Sequence, residues 1–266
     1  KNVTRCFDLL ARKEEKIILI KIITDANSLN HESIDELKHT AGCIDATPLI
    51  ITEKSGKELE DNVVYSRFGI YTLNKATFRN SLKQKLPFVK SGKAGLTVTI
   101  DGDKLRTKRE EEKLSLNDIS RKIGVSKRMI VNYENSNSDI AVQKAWKLYD
   151  LFGRGIFNHI DIFSEMENIV YNCKSQVGKK YSELGFSAVE TKRNIFDIIA
   201  KKEKEIILTT VGDKFNKELS SLSRLLDAEN LLVFERRKPK LDIPTIAKED
   251  FLELKTEKEL INIIKK

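Results

Sequence analysis

The sequence predicts a mixed fold in which two similar α/β domains flank a small all-α domain. Two observations lead to this prediction. The segment 7–19 (FDLLARKEEKIIL) returns as 196–208 (FDIIAKKEKEIIL), with eight of thirteen positions identical. The segment between the two copies has apolar residues at helical spacing, together with the polar caps of short helices. A chain of 266 residues is too long for one core, so two or three domains of about 100 residues are expected.

We expect the domains to cover residues 1–95, 96–155 and 156–266. A second pair of similar segments, 69–78 and 242–251, follows the first pair in the same order, which indicates an internal duplication interrupted by the all-α domain. A helix over about 162–184 is predicted before the second Phe-Asp, whereas only six residues precede Phe7. We therefore expect the natural protein to have an N-terminal helix that this chain lacks.

Each copy alternates short apolar strands with helices, a pattern typical of an α/β layer with a partly parallel sheet. In the first copy we predict strands at 7–11, 17–23, 49–52 and 70–73, and helices at 34–39 and 75–82. In the second copy we predict strands at 196–200, 206–211 and 231–235, and a helix at 217–226. Segment 90–95 contains Gly, Ser and Lys and is predicted to be a linker, followed by a strand at 96–100.

Four helices are predicted between residues 103 and 153. The first includes the acid-rich run that ends at Glu112. Ser115 is a suitable N-cap for the second helix, and Gly124 ends it because glycine adopts a positive φ at little cost. Ser126 caps the third helix, and Gly153 ends the fourth. Helical spacing predicts that these side chains face inward: Met129, Ile130 and Tyr133 in the third helix, and Val142, Ala145, Trp146, Leu148 and Leu151 in the fourth.

Two short helices joined by a glycine turn form a helix-turn-helix, whose second helix projects polar side chains into the DNA major groove. Segment 103–153 resembles the DNA-binding domain of the lambda-repressor/Cro (XRE) type. The resemblance rests on Leu116, Ile119, Ser120, Gly124, Val125, Ser126, Ile130, Tyr133, Glu134 and Asn135. It implies a recognition helix at 126–135.

By position, Lys127, Arg128 and Asn132 would then face base edges, since Arg and Lys suit guanine acceptors and Asn suits adenine. The residues expected to contact phosphates and set the register are Asn117, Arg121, Lys122 and Ser126. The alternative interpretation is a four-helix packing unit with a solvated basic side.

The net charge of +8 is concentrated in one segment. Residues 62–100 contain seven basic side chains and no acid, whereas residues 101–153 contain eleven basic and nine acidic ones. A basic segment without acids attracts a polyanion through Coulomb forces and counterion release. We therefore expect residues 62–100 to add affinity for the DNA backbone, the alternative being a solvated lysine-rich surface.

A Phe-Asp pair, a turn and a strand containing Lys resemble the core of the restriction-endonuclease-like, or PD-(D/E)xK, nucleases. In that family the Asp and a Glu two residues before the Lys hold a divalent metal that activates water. Asp8 and Lys21 stand at matching positions, but Leu19 stands at the position of the Glu. One carboxylate holds such an ion poorly.

The second copy departs further from the nuclease pattern. Asp197 remains, but Leu208 replaces the Glu and Thr210 replaces the Lys. The resemblance therefore implies two degenerate nuclease domains that serve as scaffolds, without a metal, a cofactor or catalysis. Two alternatives stay open: a DNA or junction nuclease with a rearranged metal site, and a protein-interaction platform for the transcription machinery.

The whole order of segments resembles the archaeal HTH-type transcriptional regulators, and implies a cytoplasmic, sequence-specific DNA-binding regulator. Double-stranded DNA is the expected partner, with a homodimer and the transcription machinery as further candidates. Three cysteines without a CxxC spacing fit a reducing compartment, and no apolar run approaches the length of a membrane span. No nucleotide-binding glycine motif and no metal-ligand spacing of the three histidines occurs.

Overall fold

The computed structural model describes residues 6–93, 95–164, 173–192, 194–213, 216–236, 238–239 and 241–265, and the statements below concern these residues. The strands are β1 (Leu9–Lys13), β2 (Lys16–Ile22), β3 (Ala46–Ile51), β4 (Lys54–Ser55), β5 (Lys57–Glu58), β6 (Val63–Arg67), β7 (Ile70–Leu73), β8 (Val89–Gly92), β9 (Gly95–Thr99), β10 (Asp139–Ala141), β11 (Ser187–Glu190), β12 (Ile198–Lys202), β13 (Glu205–Val211), β14 (Glu229–Phe234) and β15 (Thr245–Ala247). The helices are α1 (His31–Cys43), α2 (Lys75–Leu82), α3 (Gly102–Glu111), α4 (Leu116–Ile123), α5 (Lys127–Asn135), α6 (Val142–Phe152), α7 (Gln176–Glu183), α8 (Leu219–Leu226), α9 (Lys248–Glu253) and α10 (Glu257–Ile264).

The chain forms two compact units. Unit 1 comprises residues 1–22, 28–49 and 163–266, and unit 2 comprises residues 23–27 and 50–162. Both copies of the Phe-Asp repeat lie in unit 1, whereas the four predicted helices lie in unit 2. The division into three domains at residues 95 and 155 stays a prediction.

Unit 1 contains a five-stranded mixed sheet in the order β11-β12-β13-β14-β15. The pairs β11/β12 and β12/β13 are antiparallel, and β13/β14 and β14/β15 are parallel. Strand β13 is buried along its five central residues, as expected for a strand covered on both faces. Tyr181 of α7 is fully buried in this core and shares a 2.6 Å hydrogen bond with the hydroxyl of Thr209.

The first copy in unit 1 has the same order of elements. Strands β1 and β2 pair antiparallel, with Leu9 opposite Ile20, and α1 and β3 follow. Strands β12 and β13 likewise pair antiparallel and are followed by α8 and β14. The prediction of one helix over 162–184 is wrong in part: residues 162–164 and 173–175 are not helical, and α7 begins at Gln176 because Ser175 caps it. The part from 165 to 172 lies outside the described residues.

Unit 2 joins a small sheet to the four helices α3 to α6. Strands β7-β6-β8-β9-β10 lie side by side in this order, and β4 and β5 pair separately as an antiparallel two-stranded sheet. Val98 and Ile100, in and just after β9, share a core with Leu105, Ile119 and Ile130 of the helices, together with other buried apolar residues. The sheet edge and the helical domain therefore pack as one body within this unit.

The prediction of a linker at 90–95 is wrong. Residues 89–92 form β8, which pairs antiparallel with β9 so that Gly92 lies opposite Gly95. Gly95 has a φ of +96°, which a glycine adopts without strain at the end of this tight hairpin. The Gly-Ser-Lys composition is typical of linkers, but here it forms the tip of a hairpin.

Two side chains predicted to face inward are exposed. Met129 of α5 is 41% exposed and Trp146 of α6 is 61% exposed. Ala145 and Leu148 of α6 are buried, so the apolar stripe of this helix is wider than the part that the core covers. Trp146 instead packs edge-to-face on Tyr149, with ring centroids 5.5 Å apart.

Candidate nucleic-acid interface

Helices α4 and α5 begin and end at the residues that the sequence predicts. The hydroxyl of Ser115 accepts a 3.2 Å hydrogen bond from the Asp118 N–H, and the Asp118 carboxylate accepts one of 2.9 Å from the Ser115 N–H. This capping box satisfies two backbone donors at the start of α4. The Ser115 hydroxyl, which donates a 2.6 Å hydrogen bond to the Asp118 carboxylate, and the Ser115 N–H together hold the pKa of Asp118 below its ordinary value.

The turn between these helices is fixed by a glycine and a second cap. Gly124 has φ 72° and ψ 53°, the left-handed conformation that ends α4. The hydroxyl of Ser126 accepts a 3.2 Å hydrogen bond from the Met129 N–H and so starts α5. The buried side chains of Ile119, Ile123 and Ile130 hold the two helices together.

All seven residues predicted to contact DNA are exposed: Asn117, Arg121, Lys122, Ser126, Lys127, Arg128 and Asn132. At about 100° per residue, Lys127, Arg128 and Asn132 span about 140° of the circumference of α5. We call this side of α5 the reading face. Asn117, Arg121 and Lys122 lie on α4. Ser126 lies at the N-terminal end of α5, where the backbone N–H groups and the helix dipole favour a phosphate.

Two further residues lie on the reading face and were missed by the sequence analysis. Val131 is half-buried and Asn135 is exposed, and both fall within the arc spanned by Lys127 and Asn132. An apolar side chain there suits the thymine methyl group, and an amide suits adenine. Val131 lies three residues after Arg128, and Asn135 lies four residues after Val131 and three after Asn132, and this i, i+3 and i, i+4 spacing is the signal that identifies them.

An ion pair fixes the C-terminal half of α5 against α3. The guanidinium of Arg109 donates to both carboxylate oxygens of Glu134, at 2.6 and 3.0 Å, and to the carbonyl of Leu114 at 3.3 Å. The side chains of Arg109 and Glu134 are only 14% and 7% exposed. The hydrogen bond to Glu134 raises the pKa of Arg109, so the guanidinium stays charged.

Gly102 brings the start of α3 close to the same end of α5. A Cβ atom at this position would lie 2.6 Å from the carbonyl oxygen of Tyr133 and 2.8 Å from that of Glu134. Glycine is therefore the residue that fits here. Neither Gly102 nor Arg109 was identified from the sequence, because their partners lie more than twenty residues away and no local pattern marks them.

The basic segment 62–100 is less uniform than its composition suggests. Lys90 forms a 2.8 Å ion pair with Asp139, which lies outside the segment. The Nε of Arg67 is buried without a hydrogen-bond partner, and its guanidinium lies 4.8 Å from the centre of the Phe68 ring. The exposed basic side chains of this segment are Lys75, Arg79, Lys83, Lys85 and Lys93.

The nuclease-like positions of unit 1 do not fit a metal. The Asp8 carboxylate accepts hydrogen bonds from Lys21 Nζ at 3.1 Å and from the Ile22 N–H at 2.7 Å. Leu19 is fully buried where the family pattern has Glu. Within the described residues no three His, Cys, Asp or Glu side chains come together as possible metal ligands.

The equivalent aspartate of the second copy makes the same backbone contact. Asp197 accepts a 2.7 Å hydrogen bond from the Val211 N–H. Burial raises the pKa of Asp197 above its ordinary value, and the hydrogen bond from the Val211 N–H offsets only part of that rise. Each aspartate thus anchors the end of the second strand after it, β2 for Asp8 and β13 for Asp197. No helix in the described part of the chain is long and apolar enough to cross a membrane.

Comparison with known proteins agrees with this geometry. Residues 2–87 match the family model for the PD-(D/E)XK superfamily domain, and residues 105–156 match the helix-turn-helix model. No solved structure matches the chain significantly.

The chain is also similar over nearly its whole length to curated archaeal proteins. A protein of Thermococcus kodakarensis is 30% identical over 98% of this chain and 87% of its own length. A protein of Methanocaldococcus jannaschii is 30% identical over 98% of this chain and 88% of its own length. A protein of Thermococcus gammatolerans is 29% identical over 97% of this chain and 87% of its own length. Each bears the name "Putative HTH-type transcriptional regulatory protein".

Proposed function

Because the chain belongs to the archaeal family of HTH-type transcriptional regulatory proteins, we propose that it regulates transcription by reading operator DNA with helix α5. The observation that supports this most strongly is the reading face. It places Lys127, Arg128 and Asn132 in solvent on one side of a helix whose Ile130 and Tyr133 are buried in the core. Such a helix enters the major groove, where these three side chains bind base edges.

The residues before the reading face bind the sugar-phosphate backbone in this proposal. Arg121 and Lys122 are exposed on α4, and the N-terminus of α5 at Ser126 offers backbone N–H groups to a phosphate. Between Asp118 and Glu134 there are four basic residues and no acid, so nothing in this stretch repels the duplex.

Base contacts and phosphate contacts are separated by comparing two kinds of DNA. A bound sequence is first selected from a random pool, and affinities are then measured on it and on unrelated DNA. Arg128→Ala should cost about 1–3 kcal/mol on the selected site and little on unrelated DNA. Arg121→Gln should weaken binding on both and reduce the salt dependence of log K by about one.

Arg106→Ala is the matched control for both variants. Arg106 is an exposed arginine of α3 that forms a 3.2 Å i, i+4 pair with Glu110. Its removal should leave DNA affinity unchanged. Equal losses for Arg128→Ala on both kinds of DNA would refute its role in reading bases.

We infer that the chain does not cleave DNA. The inference is supported by Leu19 and Leu208, which are fully buried where a second metal-binding carboxylate is needed, and by the hydrogen bonds that already occupy Asp8. Incubation with plasmid and magnesium or manganese should leave the plasmid intact. Cutting that Asp8→Ala abolishes would instead establish a rearranged nuclease site.

We also propose that two copies bind paired half-sites about 34 Å apart, the spacing of one DNA turn. The exposed rings of Trp146 and Tyr149 on α6 offer an apolar face for the second copy. Trp146→Ala should then shift DNA-bound chains from two copies to one in sedimentation, whereas Lys147→Ala should not. Contacts with the transcription machinery are assigned in this proposal to the α/β part of the chain.

A further inference from the structure

Unit 2 contains an open groove behind the recognition helix. Its volume is about 750 Å³, and it lies between the β8–β9 hairpin, strand β10 and the turn from α4 to α5. We call it the hairpin groove. Its apolar lining includes Val125, Met129 and Ile140, and its charged lining consists of Lys90, Lys93, Lys144 and Asp139.

The hairpin groove does not lie on the reading face. Met129 and Tyr133, which line the groove, point about 200° and 240° around α5 from Lys127, whereas the reading face ends at about 140°. Base contacts by Lys127, Arg128 and Asn132 therefore do not use the residues that line the groove. A second ligand can occupy it while the operator is bound.

The charges of the groove favour an anion. Three lysines face one acid, and that acid is already engaged, since Asp139 accepts from Lys90 at 2.8 Å and from the Thr99 hydroxyl at 2.7 Å. Burial alone would raise the pKa of Asp139, but these hydrogen bonds outweigh it and keep the pKa below its ordinary value. The carboxylate therefore stays ionised at neutral pH, and the groove keeps an excess of two positive charges.

One of these lysines is fixed by the helix-turn-helix itself. Lys144 Nζ donates a 2.9 Å hydrogen bond to the Gly124 carbonyl. This contact holds an ammonium group at the turn, a few residues before the reading face. The apolar surface beside it includes Met129, whose exposed side chain is flexible and adapts to ligands of different shape.

We propose that the hairpin groove binds a small organic anion, a carboxylate or phosphate attached to an apolar body. The volume falls within the roughly 300–1,000 Å³ typical of small-molecule sites, which are mostly apolar with a few placed polar groups. Lys93 and Lys144 bind the anionic group, and Val125, Met129 and Ile140 pack against the apolar body. Nothing in the family match or in the names of the relatives assigns a ligand to this groove.

The ligand also acts as an effector that changes the affinity for DNA, a role that rests on the proposed function. It contacts Val125 in the turn and Met129 on α5, both of which are covalently continuous with the reading face. A ligand that favours one position of this turn changes DNA affinity, and DNA changes ligand affinity by the same factor.

The binding site is tested with 8-anilinonaphthalene-1-sulfonate, an anionic probe with an apolar body, on the folded full-length chain. Fluorescence titration should show saturable binding of one probe per chain. Its uncharged analogue N-phenyl-1-naphthylamine should bind at least fivefold more weakly. Equal binding of the two probes would overturn recognition of the anionic group.

Variants locate the probe. Lys144→Gln and Lys93→Gln should each weaken sulfonate binding several-fold, and Ala141→Trp should block it because residue 141 lines the groove. Lys147→Gln, on the same helix but outside the lining, is the matched control and should bind as the wild type does. Thermal unfolding by circular dichroism identifies variants that do not fold. Undiminished binding in a folded Ala141→Trp chain would place the probe elsewhere and overturn the site.

The same wild-type and variant proteins distinguish probe binding in the groove from an effect of the probe on DNA affinity. A saturating probe should change the affinity for selected DNA at least threefold in wild type and not in Ala141→Trp. If the probe occupies the groove and DNA affinity stays constant, the effector role is wrong. If the probe binds as expected but no DNA is bound, the proposed function fails and the anion site stands. Probe affinity that falls as protein concentration rises would show that a second copy covers the groove, and would overturn the proposal.

Discussion

Replacing Arg109 by alanine should detach the recognition helix from α3. The change removes two charge-assisted hydrogen bonds to Glu134, at 2.6 and 3.0 Å, a third to the exposed Glu110 at 3.2 Å and a fourth to the Leu114 carbonyl. It also leaves the Glu134 carboxylate, only 7% exposed, without its cation. A buried charge that loses its partner is costly because little solvent reaches it.

The expected loss follows from the burial of the pair. Removing one partner of a fully buried ion pair costs about 3–5 kcal/mol, whereas an exposed pair contributes about 0–1 kcal/mol. The Arg109 side chain is 14% exposed, so its pair with Glu134 is not fully buried. We therefore expect a decrease of about 2–4 kcal/mol in the free energy of unfolding of the helical domain. Replacing both Arg109 and Glu134 by methionine should cost less than Arg109→Ala, because no buried charge is left behind.

Urea unfolding followed by the fluorescence of Trp146 measures this loss. Trp146 is the only tryptophan of the chain, and it lies on α6, whose Ala145 and Leu148 belong to the same core as α5. Arg106→Ala removes an exposed pair of the same helix and should cost less than about 1 kcal/mol. The reasoning is refuted if Arg109→Ala costs no more than Arg106→Ala.

Two further predictions concern charge. The raised pKa of Asp197 means that its stabilising contribution is complete below the ordinary pKa and is lost as the pH rises through the folded value. Asp197→Asn, which keeps an acceptor for Val211, should therefore raise the free energy of unfolding at pH 7 by up to about 1 kcal/mol, and the gain should shrink in melts near pH 4. Replacing Lys83 and Lys85 by glutamine should reduce the salt dependence of DNA binding, and Lys90 and Lys93 are left unchanged because they line the hairpin groove. An unchanged slope would show that this segment does not contact the DNA backbone.

Local signals made the helix-turn-helix predictable to the residue. Ser115, Gly124 and Ser126 each act on the backbone within three or four residues, so their roles follow from the sequence alone. The strand and helix at 70–73 and 75–82 were also predicted with the bounds that the structure has. In each case the neighbouring residues decide the structure.

Features that depend on distant residues could not be predicted. The contact of Arg109 with Glu134 spans 25 positions. Helical spacing placed Trp146 on the apolar stripe of α6, but it could not show that the core covers only part of that stripe. The segment after Val89 is a strand because β9 pairs with it, a tertiary effect that its Gly-Ser-Lys composition does not reveal.

The central claim is that α5 reads bases, and mapping bound genomic fragments for the wild type and for Arg128→Ala tests it most directly. The wild type should enrich fragments that share a short sequence. The variant should lose that sequence while still retaining DNA through Arg121, Lys122 and the basic segment. Enrichment of the same sequence by both proteins would contradict the claim.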